Sequence, residues 1–229
     1  KNRKQERARS ARYELFEDYC QKNGISALFL GHHRDDQAET VLFRLAKGSG
    51  LKGLGGMDAV QKRGQLIVIR PFLDTPKADL IAFCDENDIA YVSDPSNKDL
   101  NQARPRLRAS KDVLAKEGLS DERLAQTARR LRRAEEALSL YADQAYEVCI
   151  KQKENTCIDL YKGTLMALPA EIGFRVVCLA IEALAGADDY GPRASRLETL
   201  YEDLMKEQNF RKRTLGGVVI SSNNENNSV

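Results

Sequence analysis

We predict an α/β domain with a parallel sheet over residues 1–110, a mostly helical domain over 111–220 and a disordered tail over 221–229. Three observations support this division. Short apolar runs alternate with helical patterns in the first half of the chain, which is typical of a parallel sheet covered by helices. A long helical pattern beginning at Ser120 ends that alternation. The last residues are rich in asparagine, a composition that disfavours a packed core.

Composition narrows the class of protein. The chain has 229 residues and is 42% hydrophobic, enough for one large or two modest domains. Its formal net charge of +2 excludes the global basic field of nonspecific nucleic-acid binders, so any RNA surface must be a local patch. No apolar run approaches the ~20 residues that span a bilayer, and the first residues lack the apolar stretch of a signal peptide.

Cysteine usage indicates a reducing compartment, and we expect a cytoplasmic protein. The five cysteines are scattered, odd in number and never in C-x-x-C spacing, which disfavours a structural zinc or iron–sulfur site. We expect them to be small buried hydrophobes. They are Cys20, Cys84, Cys149, Cys157 and Cys178.

The first elements are a helix and a buried strand. Residues 3–20 have helical spacing, and Asn23-Gly24 is a natural stop. The apolar side of this helix is predicted from Ala8, Ala11, Leu15, Phe16 and Tyr19. Residues 27–30, ALFL, are nearly unbroken in apolar character, which favours a strand buried on both faces of the sheet.

Polar residues follow this strand at the edge where open α/β sheets bind ligands. Gly31-His32-His33 ends the strand, and helical periodicity then places Asp35, Asp36 and Glu39 in the first turns of a helix. Asp36 and Glu39 lie three residues apart, on one face, where two carboxylates can hold a divalent cation or an ammonium group. The alternative is that these acids only cap the helix and complement its dipole.

A glycine-rich loop follows this helix, with glycines at positions 48, 50, 53, 55 and 56. Such a loop lets the backbone approach a ligand closely, although a purely structural turn also needs glycine.

The remaining α/β pattern is a strand at 66–69, a helix begun by Thr75-Pro76 and running to Asn87, and a strand at 90–92. Residues 94–99 have the composition of a turn. The alternating Arg104, Arg106 and Arg108 come next and are interpreted as a loop, either a phosphate clamp or a solvated surface.

The helix from Ser120 carries four arginines on the face opposite its apolar residues, namely Arg129, Arg130, Arg132 and Arg133. They form either an RNA-facing patch or a solvated face. Beyond this helix we predict a short strand at 157–160, a helix from Leu168-Pro169 to Gly186, a helix at 193–207 and a strand at 214–220.

The segment GHHRDDQAET followed by GSGLKGLGGM closely resembles the second signature of the tRNA(Ile)-lysidine synthetases. These enzymes belong to the N-type ATP pyrophosphatase (PP-loop) superfamily, whose catalytic domain is adenine nucleotide alpha hydrolase-like. Several branches share the DDQ-ET element, whereas the GSG-L-GL-GM continuation is more specific to the lysidine enzymes. A weaker resemblance, in A-L-P-x-E at 167–171, extends to their helical domain.

Further segments are similar to family elements: the R-x-x-R-Y of 9–13, the R-P-L-L segment at 70–73, and D-x-S-N-x-D at 94–99. The family's R-N-x-x-R is matched at Arg104 and Arg108, but Pro105 replaces the usual asparagine. The family's S-G-G-x-D-S phosphate-binding turn is absent from the sequence. Either the chain is a fragment, or residues before Lys1 were not included, or catalysis has been lost, and we favour the first two.

The resemblance implies an ATP-dependent ligase. ATP would adenylate the C2 carbonyl oxygen of the wobble cytidine in tRNA(Ile) with a CAU anticodon, and the amine of free lysine would then displace AMP. Magnesium would offset the triphosphate charge. The oligomeric state stays open, and a homodimer is one of the alternatives.

The resemblance also implies roles for individual residues. Asp36 and Glu39 would bind lysine, and Asp35, together with Asp36, would approach magnesium, with the carboxylate roles interchangeable. His32 and Arg70 would lie toward the nucleotide. The residues expected at tRNA or phosphate are Arg104, Arg108, Arg129 and Arg133.

Two other functions stay open at this point. A sulfur-inserting, 2-thiolation type of PP-loop enzyme shares the adenylation step but usually has cysteines near the site. A non-catalytic RNA-binding module is compatible with the missing phosphate-binding turn.

Overall fold

The computed structural model describes residues 2–92, 103–154, 156–185, 194–206 and 210–222. The chain divides into two compact units, Lys1–Glu135 and Glu136–Val229.

The first unit contains an α/β arrangement built from short strands and helices. Its elements are α1 (Asn2–Lys22), β1 (Ala27–Phe29), α2 (Arg34–Leu45), α3 (Leu51–Leu54), β2 (Val60–Arg63), β3 (Leu66–Ile69), α4 (Lys77–Glu86), α5 (Ala103–Ala109), α6 (Lys111–Lys116) and the first part of α7 (Asp121–Cys149). The α/β class predicted from the sequence is confirmed for this unit.

The sheet of this unit has the order β1-β3-β2. β1 and β3 are parallel, with Leu28 opposite Val68, as the buried apolar runs predicted. β2 is antiparallel to β3. The prediction of a parallel sheet is therefore confirmed for β1 and β3 but wrong for β2, whose largely polar sequence, VQKR, gives no strand signal because its side chains are mostly exposed.

One face of the sheet packs against α1. Tyr13 and Cys20 of the helix are buried with Leu66 and Val68 of β3. The predicted apolar face of α1 was wrong in part, because the side chain of Leu15 is 69% exposed. Burial of β1 on both faces was also wrong, since Phe29 is 66% exposed.

Two local predictions beyond the sheet were wrong. Residues 90–92 form no strand, and Val92 is 93% exposed without a neighbouring strand in the described part of the chain. Arg104 to Arg108 lie in helix α5 and not in a loop. Pro105 is compatible with this helix because it lies in the first turn, where a backbone N–H has no intrahelical acceptor. The predicted turn at 94–99 falls outside the described residues.

A small core joins α2 to α7 and thereby fixes the position of the acidic helix. Ala38 and Val41 of α2 are buried against Leu124 and Ala128 of α7. Helix α5 also packs on α2.

The second unit contains the rest of α7, β4 (Ile150–Glu154), β5 (Cys157–Leu160), α8 (Lys162–Ala167), α9 (Ala170–Ala185), α10 (Ala194–Lys206), β6 (Arg213–Leu215) and β7 (Val218–Ile220). Its core includes Leu165, Ile172, Val176 and Leu204, each at most 1% exposed. The predicted strand at 214–220 is instead a hairpin, β6–β7, because Gly216 and Gly217 both have positive φ and turn the chain. Within the described residues, no helix is both long enough and apolar enough to cross a membrane.

Candidate functional site

The predicted acidic cluster lies at the N-terminus of α2, which four residues separate from the end of β1. His33 is the N-cap residue, in an extended conformation. Its backbone N–H donates to Asp36 Oδ2 at 3.1 Å, and its Nε2 lies 3.3 Å from the same oxygen. Asp36 therefore closes the helix N-terminus, as the capping alternative proposed, while its carboxylate also faces a cavity.

This cavity, the acid pocket, has a volume of about 200 Å³. Its lining comes from the start of α2, the start of α4 and the α5–α6 segment. The lining residues are His33, Asp35, Asp36, Glu39, Lys77, Arg108 and Lys111.

Asp35 connects three elements around the pocket. Its Oδ2 accepts a hydrogen bond from the backbone N–H of Lys77 at the start of α4, at 3.0 Å, and so caps that helix in place of the predicted Thr75. Its Oδ1 accepts from Lys111 Nζ at 2.7 Å. Burial opposes ionisation of Asp35, but these hydrogen bonds and the Lys111 charge outweigh it, so the pKa of Asp35 lies below its ordinary value.

Lys111 bridges two carboxylates. Its ammonium is paired with Asp35 of α2 and with Asp121 at the start of α7. Burial favours the neutral amine, but hydrogen bonds to Asp121 and Asp35 reverse that effect, and the pKa of Lys111 is raised. The ammonium form therefore dominates in this arrangement.

Glu39 lies one turn further along α2 and is 9% exposed. Its two carboxylate oxygens accept hydrogen bonds from Arg108 Nε at 2.6 Å and from Arg108 Nη2 at 2.9 Å. The hydrogen bond to Glu39 is the main reason that the pKa of Arg108 is raised. This is the bidentate pairing that only a guanidinium provides.

The glycine-rich loop is held against α2 by side chains that form hydrogen bonds with its backbone N–H and carbonyl groups. Gln37 Nε2 donates to Met57 O at 2.8 Å, and Met57 N–H donates to Gln37 Oε1 at 2.7 Å. Arg44 Nη1 donates to Gly53 O and to Gly56 O, each at 2.7 Å. Arg132 of α7 donates to the carbonyls of Gly55 and Met57. The loop is thus fixed beside the residues that form the acid pocket.

The sequence-predicted site residues are only partly brought together. Asp35, Asp36, Glu39 and Arg108 line one pocket. His32 is not among its lining residues. The backbone of Arg104 lies in α5, and its side chain falls outside the described residues.

The other predicted arginines lie elsewhere in the first unit. Arg70 is 2% exposed, and its guanidinium donates to Asp58 O at 2.8 Å and to Gln61 Oε1 at 3.0 Å. Arg129 is paired with Asp74, and Arg133 is exposed on α7.

Sequence reasoning missed Lys77, Lys111 and Gln37 as contributors to this site. Gln37 lies within the recognised motif, so its position could have drawn attention to it. Nothing local marks Lys111, because Asp35 is 76 residues away in sequence. Over the described residues, no group of three or more His, Cys, Asp or Glu side chains is placed to hold a metal ion.

Comparison with known proteins matches residues 1–115 to a family described as a PP-loop domain. Relatives named tRNA(Ile)-lysidine synthase align with most of the chain. The relative from Methylobacterium nodulans is 44% identical over 86% of this chain and 59% of its own length. The relatives from Bradyrhizobium sp. and Wolbachia pipientis are 38% and 31% identical, over 94% and 96% of this chain and 65% and 51% of their own lengths. The chain thus spans about half to two thirds of the relatives' length.

Proposed function

The chain belongs to the PP-loop family, within the branch of the tRNA(Ile)-lysidine synthases, and we propose that the full-length protein is an ATP-dependent ligase that forms lysidine on tRNA(Ile). ATP activates the C2 carbonyl oxygen of the wobble cytidine in a CAU anticodon and releases pyrophosphate. The amine of free lysine then forms the new carbon–nitrogen bond as AMP leaves.

The acid pocket is the observation that carries this proposal. Three carboxylates, from Asp35, Asp36 and Glu39, face a cavity of about 200 Å³. That volume suits a ligand smaller than the drug-sized ligands of ~300–1,000 Å³ pockets. Carboxylates bind an amine by charge-assisted hydrogen bonds, which fix its direction as well as its position. Such positioning of a nucleophile beside an activated carbon contributes strongly to the rate.

The three carboxylates differ in the partners that they already have in this structure. Asp35 is occupied by Lys111 and by the N-terminus of α4, and Glu39 by Arg108. Within the described residues, Asp36 is bound by His33 and by no lysine or arginine side chain. We therefore assign the first contact with the substrate amine to Asp36, with Glu39 as the second carboxylate once Arg108 turns toward phosphate and Asp35 as the third once Lys111 leaves it.

ATP enters the proposal through the family match over residues 1–115. Magnesium in nucleotide sites takes one or two protein carboxylates and completes its shell with phosphate oxygens and water. Asp36 and Asp35 have the carboxylate chemistry for such an ion, which would offset the charge of the phosphates, but both oxygens of Asp35 already accept hydrogen bonds from Lys77 and Lys111. His32 and Arg70 stay proposed nucleotide neighbours, although Arg70 is oriented by Asp58 and Gln61.

For tRNA we propose the helical residues 111–220 as the binding domain, together with the arginines of α5 and α7. Arg133 is exposed, and Arg129 is about half exposed and would exchange its pairing with Asp74 for a phosphate contact. Scattered cysteines agree with a cytoplasmic site of action.

The two alternatives receive less support. None of the five cysteines lines the acid pocket, whereas a sulfur-inserting enzyme usually needs cysteine close to its site. A non-catalytic RNA-binding module would have no need of an acidic pocket, since carboxylates repel phosphate.

The test uses the full-length protein with ATP, radiolabelled lysine and a tRNA(Ile) transcript with a CAU anticodon. We expect incorporation of lysine by the wild type, loss of incorporation in Asp36→Asn and Glu39→Ala, and nearly unchanged tRNA binding by both variants. The exposed Lys116→Met is the matched control. Wild-type protein that incorporates no lysine, or variants that incorporate it at the wild-type rate, would contradict the proposal.

A further inference from the structure

The ammonium of Lys111 occupies a position in the acid pocket that a ligand amine would suit. It lies 2.7 Å from Asp35 Oδ1 and is paired on its other side with Asp121. A lysine side chain ends in the same primary ammonium as free lysine, on the same four-carbon chain. The pocket therefore already holds, from within the chain, the chemical group that its proposed substrate would bring.

The segment that supplies Lys111 is anchored by charge and not by a hydrophobic core. Helix α6 has no buried residue, and Val113 on it is 65% exposed. In α5, Arg106, Arg108 and Ala109 are exposed. Segments with few buried apolar contacts are the ones that open locally at low cost.

The ion pairs that anchor this segment are individually weak. The side chains of Lys111 and Arg108 are 39% and 40% exposed. Partly exposed ion pairs contribute up to ~1 kcal/mol, because solvent screens the charges and two long side chains lose freedom. A ligand amine that makes equivalent contacts can displace such a pair without disturbing a core.

We propose that Lys111 holds the place of the substrate amine in the free protein, and that its ammonium leaves Asp35 when the amine of free lysine enters the acid pocket. This inference rests on the proposed function. Lys111 keeps Asp35 neutralised while the pocket is empty, and the α6 segment opens as the ligand takes over the carboxylate. Lys111 is then a specificity-determining residue, since only a cation can exchange with it.

Lys111 and the ligand amine would compete for the same carboxylate. The direction in which a substitution changes the affinity for lysine therefore tests the proposal. Removal of Lys111 removes an internal competitor, so a lysine ligand should bind more tightly. Removal of Asp121 loosens the hold on Lys111 and should also tighten binding, even though it makes the region more positive. A simple change in local charge predicts the opposite result for Asp121, because less negative charge attracts a cationic ligand less.

The experiment is calorimetric titration of L-lysine into the full-length protein and four variants. For Lys111→Met we expect the Kd to fall about fivefold, the factor equivalent to ~1 kcal/mol. We expect a smaller decrease for Asp121→Asn, and wild-type affinity for Lys111→Arg and for the control Lys116→Met. An unchanged or higher Kd for Lys111→Met, or a higher Kd for Asp121→Asn, would overturn the proposal.

A second measurement on the unmodified protein covers the case in which a variant does not fold. Saturating L-lysine should speed amide hydrogen exchange in residues 106–116, because the segment loses its anchor. Unchanged or slower exchange there would contradict displacement. Wild-type protein that binds no lysine would instead count against the proposed function, whereas lysine binding that is insensitive to Lys111 would count only against its place-holding role.

Discussion

The carboxylate of Glu39 receives two hydrogen bonds from the guanidinium of Arg108, at 2.6 and 2.9 Å. These residues are 69 positions apart in sequence and come from α2 and α5. The carboxylate is far less exposed than the guanidinium, with side-chain exposures of 11% and 40%. The pair therefore neutralises a nearly buried charge and holds α5 at the acid pocket.

Truncation of Arg108 should destabilise the protein because it leaves Glu39 charged and unpaired. We expect Arg108→Ala to lower the free energy of unfolding by about 1–2 kcal/mol. The free energy of unfolding of Arg108→Lys should lie between those of the wild type and of Arg108→Ala, since an ammonium cannot form both hydrogen bonds to Glu39. Urea unfolding provides the measurement. The double variant Glu39→Ala/Arg108→Ala should recover part of the loss, and strictly additive effects of the two changes would show that the pair is not coupled.

Asp35 should make stability depend on pH in the acidic range. Burial opposes ionisation of Asp35, but the hydrogen bonds from Lys111 and from the Lys77 N–H outweigh this effect, so its pKa in the folded protein lies below the ordinary value of an aspartic acid. A lowered carboxyl pKa stabilises the fold above the unfolded-state pKa, and this contribution is lost as the pH falls through the lower folded-state pKa. Asp35→Asn keeps an acceptor for the Lys77 N–H but removes the charge.

We therefore expect the wild type to exceed Asp35→Asn in free energy of unfolding at neutral pH, with the difference shrinking as the pH falls below 3.8. Denaturant titrations across this range measure it. Asp112→Asn, at an exposed position on α6, is the control and should have little effect at neutral pH. A difference that grows on acidification would have the wrong sign.

Local patterns predicted the acidic helix correctly because helical periodicity and capping depend on neighbouring residues. The positions of Asp35, Asp36 and Glu39 in the first turns of α2 follow from the spacing of their apolar neighbours. The residues that pair with these carboxylates could not be predicted from that spacing. Lys111 and Arg108 reach them from far along the chain, and no local rule assigns partners over such separations.

The errors in the fold have the same origin. The predicted stripe on α1 runs through Leu15 and Tyr19. Tyr13 and Cys20, which are about two turns apart, lie on a different stripe. Only packing on β3 decides that Tyr13 and Cys20 are the buried residues.

The place of Arg70 near the nucleotide was inferred from the resemblance and stays a prediction. Its contacts with Asp58 and Gln61 could not be predicted, because they depend on β2, whose polar residues gave no strand signal.

Gly56 should be intolerant of a side chain for two separable reasons. Its φ is +75°, and a Cβ there would lie 2.7 Å from Gln37 Oε1. Gly64 has a similar φ of +58° with no atom within 4 Å of its Cβ position. Gly64→Ala therefore measures the backbone strain alone, about 1 kcal/mol.

We expect Gly56→Ala to cost more than Gly64→Ala in urea unfolding, by about 1–2 kcal/mol, because the methyl group displaces the Gln37 amide from Met57. Equal losses in the two variants would mean that the loop accommodates the methyl group, and that Gln37 does not fix the loop.

Neighbouring arginines on α7 should separate stability from RNA binding. Arg132 donates to the carbonyls of Gly55 and Met57 and is paired with Asp58, whereas Arg133 is exposed. We expect Arg132→Ala to lower the free energy of unfolding by about 1–3 kcal/mol, because the Gly55 carbonyl loses its side-chain donor and the Met57 carbonyl keeps only that of Gln37. Arg133→Ala should leave stability within ~0.5 kcal/mol of the wild type.

In tRNA binding at several salt concentrations, Arg133→Ala should weaken affinity and reduce the salt slope by about one contact. An unchanged slope would remove Arg133 from the proposed RNA surface, and a stable Arg132→Ala would show that Gln37 and Arg44 suffice to hold the glycine-rich loop.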